Sequence, residues 1–461
     1  MKDFFSLRKN GTTVRIEVIA GLTTFFTMAY ILVVNPVILG DAGMPFKGVF
    51  VATILSAVIG TVFMGVFANV PYALAPGMGL NAFFTYTIVL KNGFTWEQAL
   101  GMVFICGIIN IFITFTNIRK TIIKCIPETI QSAIGGGIGL FIAYIGVLNV
   151  GMVTFENGIP SIGDLSNPQV YLTLLGLTIT IILLIKKSKA SLLIGIITIT
   201  IIAVIMSYLG NEVVDLNSVD LSINSYKQMF NDFNEIFGAV FSKRGLPSLF
   251  DNPSTYGYIL LSIFSFSLTD TFDTIGTFIG TGKKSGIFSD DDKKALESGS
   301  GFSSKMDKAL FADSIATSIG SILGTSNTTT YVESSAGIGV GGRTGLTSLT
   351  VAGCFLLSLF LGPIISIIPY SATAPALIAV GIMMTSAFAD IKWADFEEAI
   401  PCFLAVLFMV ISYSIADGIA IGFISYSIVK ISQGKFKQLH PILIVSTALF
   451  LINYLSKAFT G

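Results

Sequence analysis

The sequence predicts an all-α membrane protein of about fourteen transmembrane helices in two inverted sets of seven, and three observations carry that reading. Hydrophobic residues make up 53% of the 461 and charged residues 12%, with mean hydropathy +0.81, more apolar surface than a soluble core of this size consumes. Apolar stretches of about 17 to 25 residues, each long enough to cross a ~30 Å hydrocarbon layer, recur from Gly21 to Leu455. A barrel would alternate polar and apolar over about ten residues, whereas Val49 to Phe67 is apolar on nearly every face. Finally, Ile126-Pro127, followed by Ala133 and Gly137-Ile138, returns as Ile368-Pro369, followed by Ala374 or Ala376 and Gly381-Ile382, about 242 to 244 residues later. With seven spans before an outer insert, the second copy starts on the opposite side of the membrane.

In order, spans are expected at 16–38, 47–69, 71–90, 97–117, 128–150, 168–186, 190–209, 257–281, 308–324, 325–345, 347–368, 371–389 and 396–414, with a C-terminal stretch inside 417–458 that holds one span or two. Basic residues set the orientation. Arg119, Lys120 and Lys124 follow span four and the run 186–189 follows span six, which puts both on the cytoplasmic side. The loop 151–167, with Glu156 and Asp164 but no Lys or Arg, then faces outward, as does the polar insert 211–256. The loop 283–307, with Lys283, Lys284, Lys293, Lys294 and Lys305, returns inside. Lys2, Arg8, Lys9 and Arg15 ahead of span one read as a retained cytoplasmic segment, because no small-residue cleavage site follows them.

Composition also excludes. The 27 basic and 27 acidic residues cancel, so there is no basic stripe for a nucleic acid. Cys106, Cys125, Cys354 and Cys402 lie in or beside apolar spans without CxxC spacing, and His440 is the one histidine; free thiols are expected, and no metal site or cofactor.

Two spans cannot be plain helices. Residues 71–84 carry Pro71, Pro76, Gly77 and Gly79 in the middle of span three, and 324–345 is too polar and glycine-rich to face lipid. Irregular backbone at membrane depth survives where protein or a watery cavity satisfies its hydrogen bonds, and interruptions in matching positions of two halves point to a midplane site. A broken helix frees N–H groups at one new end and carbonyls at the other, the two kinds of group a planar heterocycle needs.

Acids inside spans are the second signal, since an ionised carboxylate at the bilayer centre costs at least ~2.5 kcal/mol. Asp270 and Asp273 in span eight, three residues apart, are expected on one helical face with Thr277 a turn later. Glu333 sits in the break of span ten, and Asp313 in span nine. Asp273 and Glu333 are the stronger candidates, able to accept from ring N–H or amino groups. A low-dielectric setting favours a neutral acid, so all four are candidate proton carriers. Phe25, Tyr30, Phe83, Phe84 and Tyr331 offer faces for stacking.

At these positions the sequence resembles a known family. The segments 20–36 (AGLTTFFTMAYILVVNP), 73–84 (ALAPGMGLNAFF), 272–277 (FDTIGT) and 328–347 (TTTYVESSAGIGVGGRTGLT) look like the AzgA-like adenine, guanine and hypoxanthine permeases of the nucleobase:cation symporter-2 family. The resemblance runs over nearly the whole chain, with four motifs in order. It implies a core domain (1–120 and 257–368) and a gate domain (121–210 and 369–461), separated in sequence by the extracellular loop 211–256, with short strands at the breaks. It further implies that Asp273 and Glu333 hold the base; Thr277, Gly79, Asn81, Phe83, Tyr331 and Ser334 are the further candidate contacts in and around the breaks. Asp273, Glu333, Asp270 and Asp313 would serve proton coupling. Similar uracil permeases carry a histidine one turn after the span-eight acid; Thr277 stands there here, so a proton would ride on a carboxylate.

The resulting expectation is a purine nucleobase importer of the cell membrane, coupled to protons with sodium as the alternative ion, and a homodimer through its gate domains. The sequence does not rank adenine against hypoxanthine or guanine. A uracil or xanthine permease and an anion exchanger of the same fold are the alternatives; acids at both breaks disfavour an anion, which suits bare helix N-termini or a basic residue. A membrane enzyme or channel is the third reading, and no nucleophile-base-orienter set supports it.

Overall fold

The computed structural model describes residues 4–116, 127–156, 158–216, 222–288 and 304–460. Lys2, Arg119, Lys120, Lys124, Cys125, Ile126, Lys293 and Lys294, used above for orientation, thiols and the internal repeat, lie outside the described residues.

The chain is mostly helical: α1 (Val14–Met28), α2 (Ile31–Asp41), α3 (Phe46–Phe63), β1 (Leu74–Pro76), α4 (Met78–Ala82), α5 (Trp96–Phe115), α6 (Glu128–Asn149), β2 (Val153–Glu156), β3 (Ile159–Ile162), α7 (Pro168–Ile185), α8 (Ser191–Tyr208), α9 (Ile223–Ile236), α10 (Tyr256–Ser285), α11 (Lys305–Leu323), β4 (Thr328–Thr330), α12 (Ser334–Gly339), α13 (Gly345–Leu357), α14 (Tyr370–Met384), α15 (Phe396–Ile411), α16 (Ile415–Ser432) and α17 (Pro441–Thr460). Among the described residues nine helical stretches are long and apolar enough to cross a membrane. The C-terminal stretch resolves into two helices, α16 and α17.

Helix starts follow capping chemistry. Thr95 and Gln98 form a capping box at α5, Ser304 and Asp307 another at α11, Asn167 caps α7 with Pro168 behind it, and Ser414 caps α16. Three features depart from the expected spans. The first span is two helices, α1 and α2, meeting at Ala29–Tyr30, where Leu32 N and Val33 N bond only three residues back, to Ala29 O (3.2 Å) and Tyr30 O (3.1 Å). The outer loop 151–167 contains the β2–β3 hairpin, so the strands are not confined to the breaks. The insert 211–256 contains α9, which buries Ser225, Met229 and Ile236 and packs along α3, where Gly48 lets the backbone of Asp232 approach.

Two groups of helices emerge from the packing. In one, α6, α7, α8, α14, α15 and α16 lie against each other; in the other, α3 is surrounded by α2, α9, α11, α13 and β1, with α1 on α13 and α5 on α11. Helix α10 touches both, meeting α5, α11, α12 and β4 on one side and α6, α16 and α17 on the other. It therefore runs along the boundary between the groups.

Candidate functional site

The two interruptions meet. β1 and β4 pair antiparallel, Leu74 with Thr330, Ala75 with Thr329 and Pro76 with Thr328, and the ladder extends through Tyr331 N to Ala73 O (3.0 Å) and Gly77 N to Asn327 O (2.9 Å). Pro76 cannot donate within a helix, and three consecutive β-branched threonines favour an extended chain, so the segments solve each other's hydrogen-bond deficit at membrane depth. Side chains complete the pairing. Thr61 Oγ1 accepts from Leu74 N (2.9 Å) and donates to Leu74 O (3.1 Å); Ser334 Oγ accepts from Ala73 N (3.1 Å); Tyr331 donates its hydroxyl to Pro76 O (2.6 Å). Short half-helices, α4 and α12, leave the two strands.

The four intramembrane acids fall into two environments. Asp273 is exposed although it stands midway along the 30-residue α10, and Glu333, at the start of α12, is half-buried beside Val332, which is 56% exposed. Asp273 lies within electrostatic reach of Asp270 and Glu333, and Tyr30 and Tyr331 within reach of both Glu333 and Asp273, so these groups gather beside the paired breaks. Two acids facing lipid would be untenable, and α10, which carries Asp273, is the helix that touches both helix groups. Glu333 Oε1 accepts from the Tyr30 hydroxyl at 2.7 Å.

Asp270 is fully buried. Its Oδ2 accepts from Asn110 Nδ2 (3.1 Å), Thr317 Oγ1 (3.1 Å) and Asn327 Nδ2 (3.5 Å), and Ser267 in turn donates to Asn110 Oδ1. Asp313, 4% exposed, accepts from Thr330 Oγ1 at 2.7 Å, while Thr274 and Thr329 bond each other at 2.9 Å across α10 and β4. The expectation that Asp270 and Asp273 share one face is corrected here: a three-residue step turns a helix by about 60° from alignment, enough to send one acid into the packing and leave the other in the open. Among the described residues no lysine, arginine or histidine pairs with any of the four.

The remaining expected site residues are structural neighbours of these groups. Thr277 is buried a turn below Asp273, while Gly276 between them is exposed with open space where a Cβ would stand. A Cβ on Gly79 would lie 2.4 Å from Ile138, so glycine lets α4 approach α6; Asn81 is buried and accepts from Ser326 Oγ at 3.1 Å. Phe83 is 1% exposed and packs on Phe266 with ring centroids 4.6 Å apart, and Phe25 meets Phe355 at 5.2 Å. Those rings are core. A cavity of about 420 Å³ lies instead between the start of α5 and the segment after α9, lined by Trp96, Glu97, Glu235 and Arg244, away from the acids.

Sequence reasoning missed several polar groups. Glu17, fully buried near the start of α1, accepts from Arg343 N (2.9 Å), Thr347 N (3.1 Å) and Thr347 Oγ1 (2.6 Å), so it caps the start of α13. An acid at the second residue of a predicted span was the available signal. At the C-terminal end of α2, Asp41 accepts from Tyr86 (2.6 Å), Tyr370 (2.7 Å) and Asn149 (3.3 Å), and Lys91 pairs with Asp417 at 2.7 Å. These contacts tie α2 and the segment after α4 to α6, α14 and α16. Between them Tyr413 packs on Tyr86, Phe141 and Tyr144 with its own backbone at φ +55°, a left-handed conformation unusual for a bulky residue.

Comparison with known proteins agrees with this architecture. A model of the permease family labelled Xan_ur_permease matches residues 15–421. The guanine/hypoxanthine permease PbuO of Bacillus subtilis is 41% identical over 454 residues, covering 97% of this chain and 99% of that protein. The adenine permease AdeP of Escherichia coli is 40% identical over 451 residues, covering 97% of this chain and 94% of that protein. Among solved structures, the transmembrane domain of the cyanobacterial bicarbonate transporter BicA superposes with a TM-score of 0.62 at 16% identity, over 87% of this chain and 96% of that one. That likeness is one of fold.

Proposed function

The chain belongs to the Xan_ur_permease family of permeases, a multi-pass membrane transporter and not an enzyme, and from that premise we propose that it imports purine nucleobases, adenine, hypoxanthine or guanine, by proton symport with alternating access. The observation that carries the reading is the pair of carboxylates, Asp273 and Glu333, beside the paired helix breaks. A purine presents ring N–H and amino donors along its edge. Two neighbouring acceptors match such donors, and they repel an inorganic anion. The anion-exchanger reading, which the BicA-like fold alone would allow, is disfavoured for this reason.

In this mechanism the group built on α6, α7, α8 and α14 to α17 is the gate domain, and the other group, with α10 at its edge, is the core. They stand in a 7+7 inverted arrangement with the N-terminus cytoplasmic in the cell membrane. The bonds from Asp41 and Lys91 close the outer side while Asp273 stays open, which suits the inward-facing half of a cycle. An acid lacking a basic partner in a low-dielectric setting is suited to carry a proton, and the exposed Asp273 with the half-buried Glu333 can exchange one along with the substrate.

Uptake of labelled adenine, hypoxanthine, guanine, xanthine and uracil into cells lacking their own carriers, with and without a protonophore, tests both halves. Purine accumulation that collapses with the protonophore is expected. Unchanged uptake of every base overturns the substrate reading; purine uptake that follows sodium and ignores the protonophore overturns the coupling.

A further inference from the structure

Tyr30 entered as one of several aromatic faces, and its surroundings give it a different task. It is 1% exposed, so its ring is not a free stacking surface, and its hydroxyl donates to Glu333 Oε1 at 2.7 Å. The residue stands at the turn between α1 and α2, where the helix ladder is loosened and the side chain is aimed by backbone shape. Two other contacts fix the register. Thr27 Oγ1 lies 3.4 Å from Glu333 O while bonding Thr24 O at 2.7 Å, and a Cβ on Gly337 would lie 2.5 Å from Ala20 O, so α12 rides directly on α1. Tyr331, the other phenol near the two acids, is committed to Pro76 O. Among the described residues Tyr30 is thus the side-chain donor to Glu333.

We propose that Tyr30 is a positioning residue for Glu333, occupying one carboxylate oxygen so that the other is presented in a fixed direction to a single donor on the substrate. A carboxylate with both oxygens free rotates about its last bond and offers either to water; one tethered oxygen removes that freedom before substrate arrives. The hydroxyl acts through Glu333 and does not itself touch the base. This rests on the nucleobase reading only where transport is measured.

The test has two arms. In the first, infrared difference spectra of purified protein, wild type minus Glu333→Gln, locate the Glu333 carboxyl band without any substrate. In Tyr30→Phe that band shifts; a band that stays in place overturns the proposal whatever the protein carries. In the second, Tyr30→Phe raises the KM for the transported base roughly ten-fold with maximal rate changed less than two-fold, in line with loss of one hydrogen bond. A fall in maximal rate at constant KM overturns it, because that is the mark of a structural role. If Tyr30→Phe does not fold, a fluorotyrosine at position 30, near-isosteric and a stronger donor, moves the same band; an unmoved band again overturns the proposal. Absence of any transported base sinks the functional reading and leaves the infrared arm standing.

Discussion

Asp270 and Asp273 sit three residues apart on one helix, yet one is sealed and the other open. Asp270 is wrapped by Asn110, Thr317 and Asn327 from α5, α11 and the approach to β4; Asp273 is exposed on the helix that touches both groups, with Glu333 and two phenols nearby. The sealed acid joins elements: its donors come from three segments, α5, α11 and the approach to β4, that already pack on one another. The open one has no such donors and is available to a ligand. Three donors on Asp270 Oδ2 rigidify its surroundings, although its buried Oδ1 has no partner among the described residues, whereas an acceptor open to solvent is poised for exchange. What separates the two is the turn of helix α10 at a boundary, and not residue type or spacing.

The contrast breaks most visibly at Asp270. Asp270→Ala strands the donors of Asn110, Thr317 and Asn327 in a buried site, and together with the small cavity it is expected to destabilise by about 4 kcal/mol. Thermal melting of purified protein would show it, and Asp270→Asn, keeping volume and a carbonyl acceptor, should recover part of the loss. Asp273→Asn is expected to do the reverse. It leaves melting within about 2 °C because no described donor depends on it, while purine uptake falls about 100-fold, near 2.7 kcal/mol. A melting loss at Asp273 equal to that at Asp270 would dissolve the distinction.

The breaks were legible because glycine, proline and runs of threonine are statements about backbone. Pro76, Gly77 and Gly79 on one side and 324–345 on the other identify irregular chain without knowledge of its partner. The acids were legible because their presence in a span has a cost. Partners were not. Glu17 with Thr347, Asp41 with Tyr370 and Lys91 with Asp417 join residues more than 300 positions apart, and helices apolar all round carry no stripe to say which neighbour they face. Nor did local pattern separate Asp270 from Asp273, since that depends on where two groups of helices part. The turn at Ala29–Tyr30 was hidden because neither glycine nor proline stands at it; Pro36 lies more than a turn later, inside α2.

The smallest expected effect sharpens the comparison from the outer side. Lys91 and Asp417 are a partly exposed pair, 33% and 24% exposed, and such pairs contribute roughly 0.2 to 1 kcal/mol. Lys91→Met should leave fold and melting intact, yet it removes one of the bonds that hold the outer ends of the two helix groups together. Gly276, a helical step from Asp273, has open space at its Cβ, so Gly276→Cys places a reporter beside the open acid without crowding it. If the outer contacts restrain opening, an impermeant thiol reagent added outside should label that cysteine about two-fold faster in the Lys91→Met background, the ratio expected from ~0.5 kcal/mol. The native Cys106, buried beside the sealed acid and bonded by Asn327, should stay unlabelled in both. Equal acceleration at Cys106 would mean that the sealed site opens with the exposed one, and that Asp270 and Asp273 share a single compartment in motion.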